Sequence, residues 1–251
     1  MRPKLLVLSD ITDKALKLIK EYLDITHDIK EEYDYIWNGT TDLRSIKPVY
    51  CPCTGVSHID SPKITYLDQT WKDTEGLQIT STAEHTWSLI LQLAKREYLQ
   101  LNGKRIGIIG YGRIGKMVEK YALAFNMIVI THDINDSNLD ILLQTSDIIT
   151  LHLPLNESTY HFIDSQKIMK MSKKPILINT SRANVVDLQS VFEAITQKQI
   201  SQYGNDFNQG NQSPYRSPNI MSTIHIGGNC KEAREATDLY IANKLIEDVN
   251  P

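Results

Sequence analysis

Gly103-Lys104-Arg105-Ile106-Gly107-Ile108-Ile109-Gly110-Tyr111-Gly112-Arg113-Ile114-Gly115-Lys116 places a short apolar strand directly before a G-x-G-x-x-G turn. Such a turn has a physical use. Gly110 lets the chain leave the strand tightly, Gly112 lets backbone N–H groups approach a phosphate, and Gly115 lets the following helix pack against the sheet. The helix N-terminus then offers its partial positive charge to the anion. Glycine-rich runs recur by chance, so the context decides. Lys116 to Asn126 has helical composition, Met127-Ile128-Val129-Ile130 reads as a second strand, and Asp133 follows eighteen positions after Gly115. A carboxylate there can accept from an adenosine ribose hydroxyl and repels a 2′-phosphate, which favours NAD over NADP. Asp136 in the same polar turn competes for that role, and a plain turn acid is the alternative reading of Asp133. Gly110, Gly112, Arg113, Ile114, Gly115 and Asp133 are thus candidate cofactor contacts.

The rest of the chain alternates strands and helices. Leu5 to Leu8, Tyr35-Ile36-Trp37 and Pro48-Val49-Tyr50 read as strands, and Thr12 to Leu23 as a helix with Ala15, Leu16, Ile19 and Leu23 on one face. Ser81 followed by Glu84 has the form of a capping box, which predicts a crossover helix from there towards Gly103. Beyond the glycine turn, Ile148 to Leu151 and Ile176 to Asn179 read as strands, and Ser165 to Met171 and Leu188 to Gln197 as helices. Lys231 to Asp248 reads as a final helix, and the polar stretch Asn205 to Pro218 as a loop. This alternation predicts an α/β fold of two Rossmann-like, doubly wound parallel-sheet domains with a cleft between them. Residues 80–228 form the nucleotide-binding domain; residues 1–79 with 229–251 form a smaller one, closed by the last helix.

Composition narrows the function. Across 251 residues, 27 Lys and Arg stand against 30 Asp and Glu, a formal charge of −3, which leaves no basic footprint for nucleic acid. No apolar run reaches the roughly 18 residues of a membrane span, and Met1 to Leu8 reads as a strand rather than a leader. Three cysteines, Cys51, Cys53 and Cys230, lack a four-ligand metal pattern and fit a reducing, cytoplasmic setting. Cys51-Pro52-Cys53 reads as a strand end with small buried side chains.

Three further segments follow the glycine turn in order: Leu151-His152-Leu153-Pro154-Leu155, Leu177-Ile178-Asn179-Thr180-Ser181-Arg182-Ala183-Asn184-Val185-Val186-Asp187, and Ile224-His225-Ile226-Gly227-Gly228. Upstream stand Thr54-Gly55-Val56-Ser57-His58-Ile59-Asp60 and Ser81-Thr82-Ala83-Glu84-His85. Together they resemble the D-isomer-specific 2-hydroxyacid dehydrogenases over almost the whole chain, with the first unit trimmed.

The resemblance implies hydride transfer between a nicotinamide and the carbon of a small 2-hydroxy or 2-keto acid, with NAD as cofactor. It implies that Arg182 holds the substrate carboxylate and keto oxygen in a planar fork that lysine cannot reproduce. It implies that His225 donates and accepts the proton, and that Asp206 holds the nicotinamide carboxamide. His152, Pro154, Thr180 and Gly228 would line the cofactor, and the backbone N–H groups of Thr54, Gly55 and Val56 would anchor the carboxylate. The chain departs from the family in three places: Ala183 replaces a glycine, Ile224 replaces a proline, and Asn211 stands where a glutamate pairs with the histidine. An amide can orient an imidazole but cannot stabilise its protonated form by charge. Two alternatives therefore stay open. One is an NAD(H)-binding sensor that has lost catalysis; the other is oxidation of formate, which needs no proton relay. Relatives commonly form homodimers through the nucleotide unit and the crossover helix, where Trp87 and Leu91 serve either an interface or the monomer core.

Overall fold

A computed structural model of the chain describes residues 2–39, 41–53, 56, 59–67, 76–208 and 214–250. The chain divides into two compact units, Met1–Glu75 with Cys230–Pro251, and Gly76–Asn229.

In the first unit, strands β1 (Lys4–Val7), β2 (Asp24–Thr26), β3 (Tyr35–Trp37), β5 (Val49–Cys51) and β7 (Ile64–Tyr66) form a parallel sheet in the order β2-β1-β3-β5-β7. The short strands β4 (Leu43–Arg44) and β6 (Ile59–Asp60) pair separately. One face is covered by α1 (Asp13–Ile19) and α7 (Lys231–Val249), whose Ala15, Ile19, Ile241, Ala242 and Leu245 pack on Leu5, Val7, Trp37 and Tyr50. Tyr50 donates its hydroxyl to Asp248 at 2.5 Å, tying α7 to the sheet. Helix α1 is shorter than its apolar pattern predicts. It ends in a turn at Lys20, and Leu23 is buried from that turn rather than from the helix. Among the described residues no helix joins β2 to β3, β3 to β5, or β5 to β7. The opposite sheet face, Ile36, Val49, Cys51 and, beside it on β7, Tyr66, is instead covered by Tyr33, Leu43, Val56 and Ile59. Cys51 is fully buried and Cys53 half-buried, both as free thiols.

The second unit is a six-stranded parallel sheet in the order β13-β12-β11-β10-β8-β9, made of β8 (Arg105–Ile109), β9 (Ile128–His132), β10 (Ile148–Leu151), β11 (Ile176–Asn179), β12 (Gln202–Asn205) and β13 (Ile220–Ser222). Its central strands are apolar on both faces, as a sheet between two helical layers requires. Ile106, Ile148 and Ile176 lie in register and face α2 (Leu77–Arg96) and α3 (Arg113–Ala124). Their neighbours Ile149 and Leu177 point the other way, towards α4 (Leu139–Thr145), α5 (Ser165–Met169) and α6 (Leu188–Thr196). Asp164 and Asp187 cap α5 and α6, accepting from the backbone N–H of Lys167 and Gln189, contacts worth about 1 kcal/mol each.

Helix α2 corrects the capping-box reading. It starts one turn earlier, with Gly76 as its cap, and Ser81 lies inside it. The Ser81 hydroxyl donates instead to the Gly227 carbonyl at 2.8 Å, a tertiary bond that local spacing cannot announce. Among the described residues no helix is long and apolar enough to cross a membrane.

Because β8 has β9 on one side and β10 on the other, the chain changes direction across the sheet there. Doubly wound sheets open their ligand crevice at such a point, beyond the carboxyl ends of the strands.

Candidate active site

The glycine turn lies at that reversal. Gly110, straight after β8, has φ +93° and donates its N–H to the His132 carbonyl at 2.8 Å. Any Cβ on Gly115 would collide with the Gly110 carbonyl oxygen, so α3 can approach β8 only with glycine there. Gly112 differs: it caps α3 without any side-chain acceptor, and no atom lies within 4 Å of where its Cβ would be. The opening turn of a twelve-residue helix is thus left accessible beside exposed Arg113 and half-buried Ile114, a cradle of the kind a pyrophosphate fills.

Asp133 follows β9, and its carboxylate meets the turn directly. Oδ2 accepts from the Tyr111 N–H at 3.2 Å and Oδ1 from the Ile134 N–H at 2.8 Å. Asp136, the competing acid, instead accepts from the Asp133 N–H at 2.8 Å. The two acids therefore divide the roles: Asp136 closes the turn and Asp133 faces the glycine run.

His152 follows β10 and walls the other side of the crevice. Its N–H donates to the Ile109 carbonyl at 2.7 Å, and Nε2 stands 3.1 Å from the Thr150 hydroxyl. Its Nδ1 is buried without a partner, and burial pushes the imidazole pKa down to about 3, so the ring is neutral. Pro154 beyond it is exposed.

Arg182 is presented by a closed turn at the end of β11. Asn179 accepts from the Ser181 N–H at 3.0 Å and hydroxyl at 2.7 Å, and donates from Nδ2 to the Arg182 carbonyl at 2.9 Å. Thr180 is held against α2 by its hydroxyl, 2.8 Å from that of Thr86. The Arg182 guanidinium is exposed and donates to the Ser181 carbonyl at 2.7 Å. Among the described residues it has no carboxylate partner. Ala183 opens a short 3-10 turn and is not among the residues with positive φ, so the methyl group in place of glycine needs no strained backbone.

Asp206 and His225 follow the next two strands, β12 and β13. Asp206 is 2 % exposed, and its carboxylate is enclosed by donors from its own chain. Oδ1 accepts from the Thr223 hydroxyl at 2.5 Å and the Ile226 N–H at 2.9 Å, and Oδ2 from the Gly227 N–H at 2.7 Å. His85 Nε2 stands 3.5 Å from Oδ1 and 2.9 Å from the Thr223 hydroxyl. Burial alone would raise the Asp206 pKa; these donors outweigh it and hold the group down at about 2. His225 has φ +63°, is exposed, and sets its ring edge-on to Phe207 with centroids 5.7 Å apart. Gly228 is half-buried, with its would-be Cβ 3.8 Å from the Thr82 hydroxyl.

The second unit thus gathers the glycine turn, Asp133, His152, Thr180, Arg182, Asp206 and His225 at the carboxyl ends of six parallel strands. The residues present fit a dinucleotide: a phosphate cradle at Gly112, an acid beside it, and a neutral wall at His152. In the first unit Val56 is half-buried and accepts from the Ile59 N–H. Thr54, Gly55 and Asn211 lie outside the described residues. Sequence reasoning missed the supports Thr86, Asn179 and Thr223, and met His85 only as part of a helix start. Asn179 carried a usable signal, a polar residue at the last position of an apolar strand. Among the described residues no group of His, Cys, Asp and Glu is arranged to hold a metal ion.

Comparison with known proteins extends this geometry. A glyoxylate reductase from Thermofilum pendens is 27 % identical, matching 98 % of this chain and 91 % of its own length. That alignment runs over 310 positions against a chain of 251 residues, so the relative has segments this chain lacks. A hydroxypyruvate reductase from Thermotoga maritima is also 27 % identical, over 94 % of this chain and 88 % of its own. In fold, the chain superposes on a Salmonella D-lactate dehydrogenase with a TM-score of 0.76, over 96 % of this chain and 95 % of that one at 18 % identity. The family model described as D-isomer specific 2-hydroxyacid dehydrogenase, NAD binding domain, matches residues 75–227. The chain therefore belongs to the D-isomer specific 2-hydroxyacid dehydrogenases, enzymes that move a hydride between a nicotinamide dinucleotide and a 2-keto or 2-hydroxy acid.

Proposed function

We propose that this protein is an NADH-linked reductase of a short 2-keto acid of the glyoxylate or hydroxypyruvate type. The observation that carries it is Arg182: an exposed guanidinium without a carboxylate partner among the described residues, fixed from behind by Asn179 at a strand's carboxyl end. Such a group is disposed to receive an external carboxylate and carbonyl oxygen in one planar fork. Bound NADH would supply the hydride. Arg182 would stabilise negative charge developing on the keto oxygen, and His225, two strands away and exposed, would deliver the proton to that oxygen. Asn211 would orient the imidazole by a hydrogen bond alone. Thr54, Gly55 and Val56 would anchor the substrate carboxylate through backbone N–H groups, making the first unit the substrate-binding one. Gly110, Gly112, Arg113, Ile114, Gly115, His152, Pro154, Thr180 and Gly228 would line the cofactor. The Asp133 carboxylate beside the glycine turn favours NAD over NADP by accepting from the ribose and repelling a 2′-phosphate.

The same reading includes a homodimer in a reducing cytoplasm. Trp87 is buried in its own unit, stacked on Phe125, and so serves the core. Leu91, one turn further along α2, is 43 % exposed and Phe125 is 40 % exposed, which supports an interface at that edge. Sedimentation of the purified chain tests it; a monomer at all concentrations removes the dimer.

The activity is tested by following NADH fluorescence while glyoxylate, hydroxypyruvate and pyruvate are added in turn to wild type and Arg182→Ala. Consumption of NADH with one acid, lost in the variant, is expected. NADH that stays bound with every acid would overturn the reading in favour of a binding protein.

A further inference from the structure

His225, the proposed proton donor, sits in a conformation that needs support. Its φ of +63° lies in the left-handed region, which costs a residue other than glycine about 1–3 kcal/mol. Apolar burial does not supply the support, because the flanking Ile224 and Ile226 are 72 % and 40 % exposed. Hydrogen bonds do. The two peptide N–H groups after His225, at Ile226 and Gly227, both end on the Asp206 carboxylate.

That carboxylate is itself braced from α2. The Thr223 hydroxyl has one proton and two acceptors in reach, the Asp206 carboxylate at 2.5 Å and the Asn205 carbonyl at 3.4 Å; given to the nearer, charged one, it leaves the oxygen to accept from His85, with the hydrogen on Nε2. A directed chain runs from His85 through Thr223 into Asp206 and on to the peptides beside His225. The packing leaves no slack, since a Cβ on Gly227 would stand 2.9 Å from Asp206 Oδ2 and 3.3 Å from His85 Cδ2. With Oδ1 taken by Thr223, Ile226 and His85 and Oδ2 by Gly227, the carboxylate is spent mainly inside its own chain.

We propose that His85 is a positioning residue for the reaction: through Thr223 and Asp206 it sets the placement of the His225 imidazole. The proposal rests on the reading of His225 as proton donor. It assigns Asp206 a second duty beside the nicotinamide contact that the family resemblance implies, and it gives His85 a role distinct from helix packing.

The test uses the full chain with His85→Leu, His85→Gln and Thr223→Val. Three readouts are taken: hydrogen exchange at the Ile226 and Gly227 amides, NADH affinity by fluorescence, and kcat and KM for the preferred keto acid. His85→Leu should lower kcat by about 100-fold, the scale of a roughly 1 Å misplacement, while KM and NADH affinity stay near wild type. The two amides should lose protection. His85→Gln keeps a side-chain N–H and should recover most of both losses. Thr223→Val breaks the chain without touching the α2 core and serves where His85→Leu does not fold. An unchanged kcat overturns the proposal, as does a fall in NADH affinity that tracks kcat, which would place Asp206 on the cofactor alone. If the wild-type chain reduces no keto acid, the functional reading fails. The amide exchange still decides whether His85 holds the His225 loop, and unaltered exchange in His85→Leu sinks that too.

Discussion

Gly110 lies so close beneath His152 that a Cβ on it would stand 2.5 Å from the His152 carbonyl oxygen, and its φ of +93° is one that side chains rarely adopt. Clash and backbone strain act together there, so Gly110→Ala should cost about 3 kcal/mol of stability. Gly112 has open space instead, and Gly112→Ala should leave stability within about 0.5 kcal/mol of wild type. Its methyl group would occupy the phosphate approach and weaken NADH by about tenfold or more, near 1.4 kcal/mol. Thermal unfolding paired with NADH titration separates the two variants; equal melting temperatures would remove the argument.

Asp133 accepts from the glycine turn at Tyr111, and the proposed function gives the same carboxylate the choice of cofactor. Asp133→Ser removes the repulsion of a 2′-phosphate while leaving the neighbouring Asp136 turn bond available. The ratio of NADPH to NADH activity should rise on the order of tenfold. Steady-state rates with both cofactors measure it, and an unmoved ratio would show that another group reads the ribose.

How far such assignments are legible in the sequence depends on the range of the chemistry. The glycine run, Asp133 and the alternation of Ile106, Ile148, Ile149, Ile176 and Leu177 were legible because strand period and turn geometry are local demands. Strands β2, β7 and β13 are three residues long and are interrupted by Asp24, Thr26, Thr65 or Ser222, so no period emerges, whereas the equally short β3 and β5 are legible as unbroken apolar runs. Ser81 and Glu84 had the spacing of a cap, yet the Ser81 hydroxyl bonds Gly227, 146 positions away. Asp206 is named by the resemblance only as a nicotinamide contact, because its brace comes from His85 on α2 and from residues beyond β13, distant in sequence. Family resemblance named Arg182 and His225; only the fold shows Asn179 presenting one and Asp206 bracing the other.

Two groups make the second unit sensitive to acid, in windows that overlap only between about pH 4 and 3. His152 has its pKa pushed down by burial to about 3, so below an unfolded value of about 6.5 the unfolded chain binds a proton that the native state does not. Stability therefore falls as pH drops from about 6.5 towards 3, by at most about 1.4 kcal/mol per pH unit. Asp206, held at about 2 by its donors against the penalty of burial, contributes stability that is full above an unfolded value of about 3.9 and is lost as pH falls towards 2. Denaturant unfolding across a pH series should show His152→Gln flattening the upper window and leaving the lower one. Parallel curves for variant and wild type would mean that His152 is not the group titrating.

Arg182 separates charge from shape. Its side chain is exposed and has no ion pair among the described residues, so replacing it should change stability by less than about 0.5 kcal/mol. Arg182→Lys keeps the positive charge but loses the planar fork, and kcat/KM should fall by about 100-fold. Arg182→Ala removes both and should fall by about 1,000-fold. NADH affinity should stay the same in each, because the fork is assigned to the acid and not to the cofactor. Full activity in the lysine variant would mean that a point charge suffices, and the two-oxygen clamp would then be the wrong account of how this site holds its substrate.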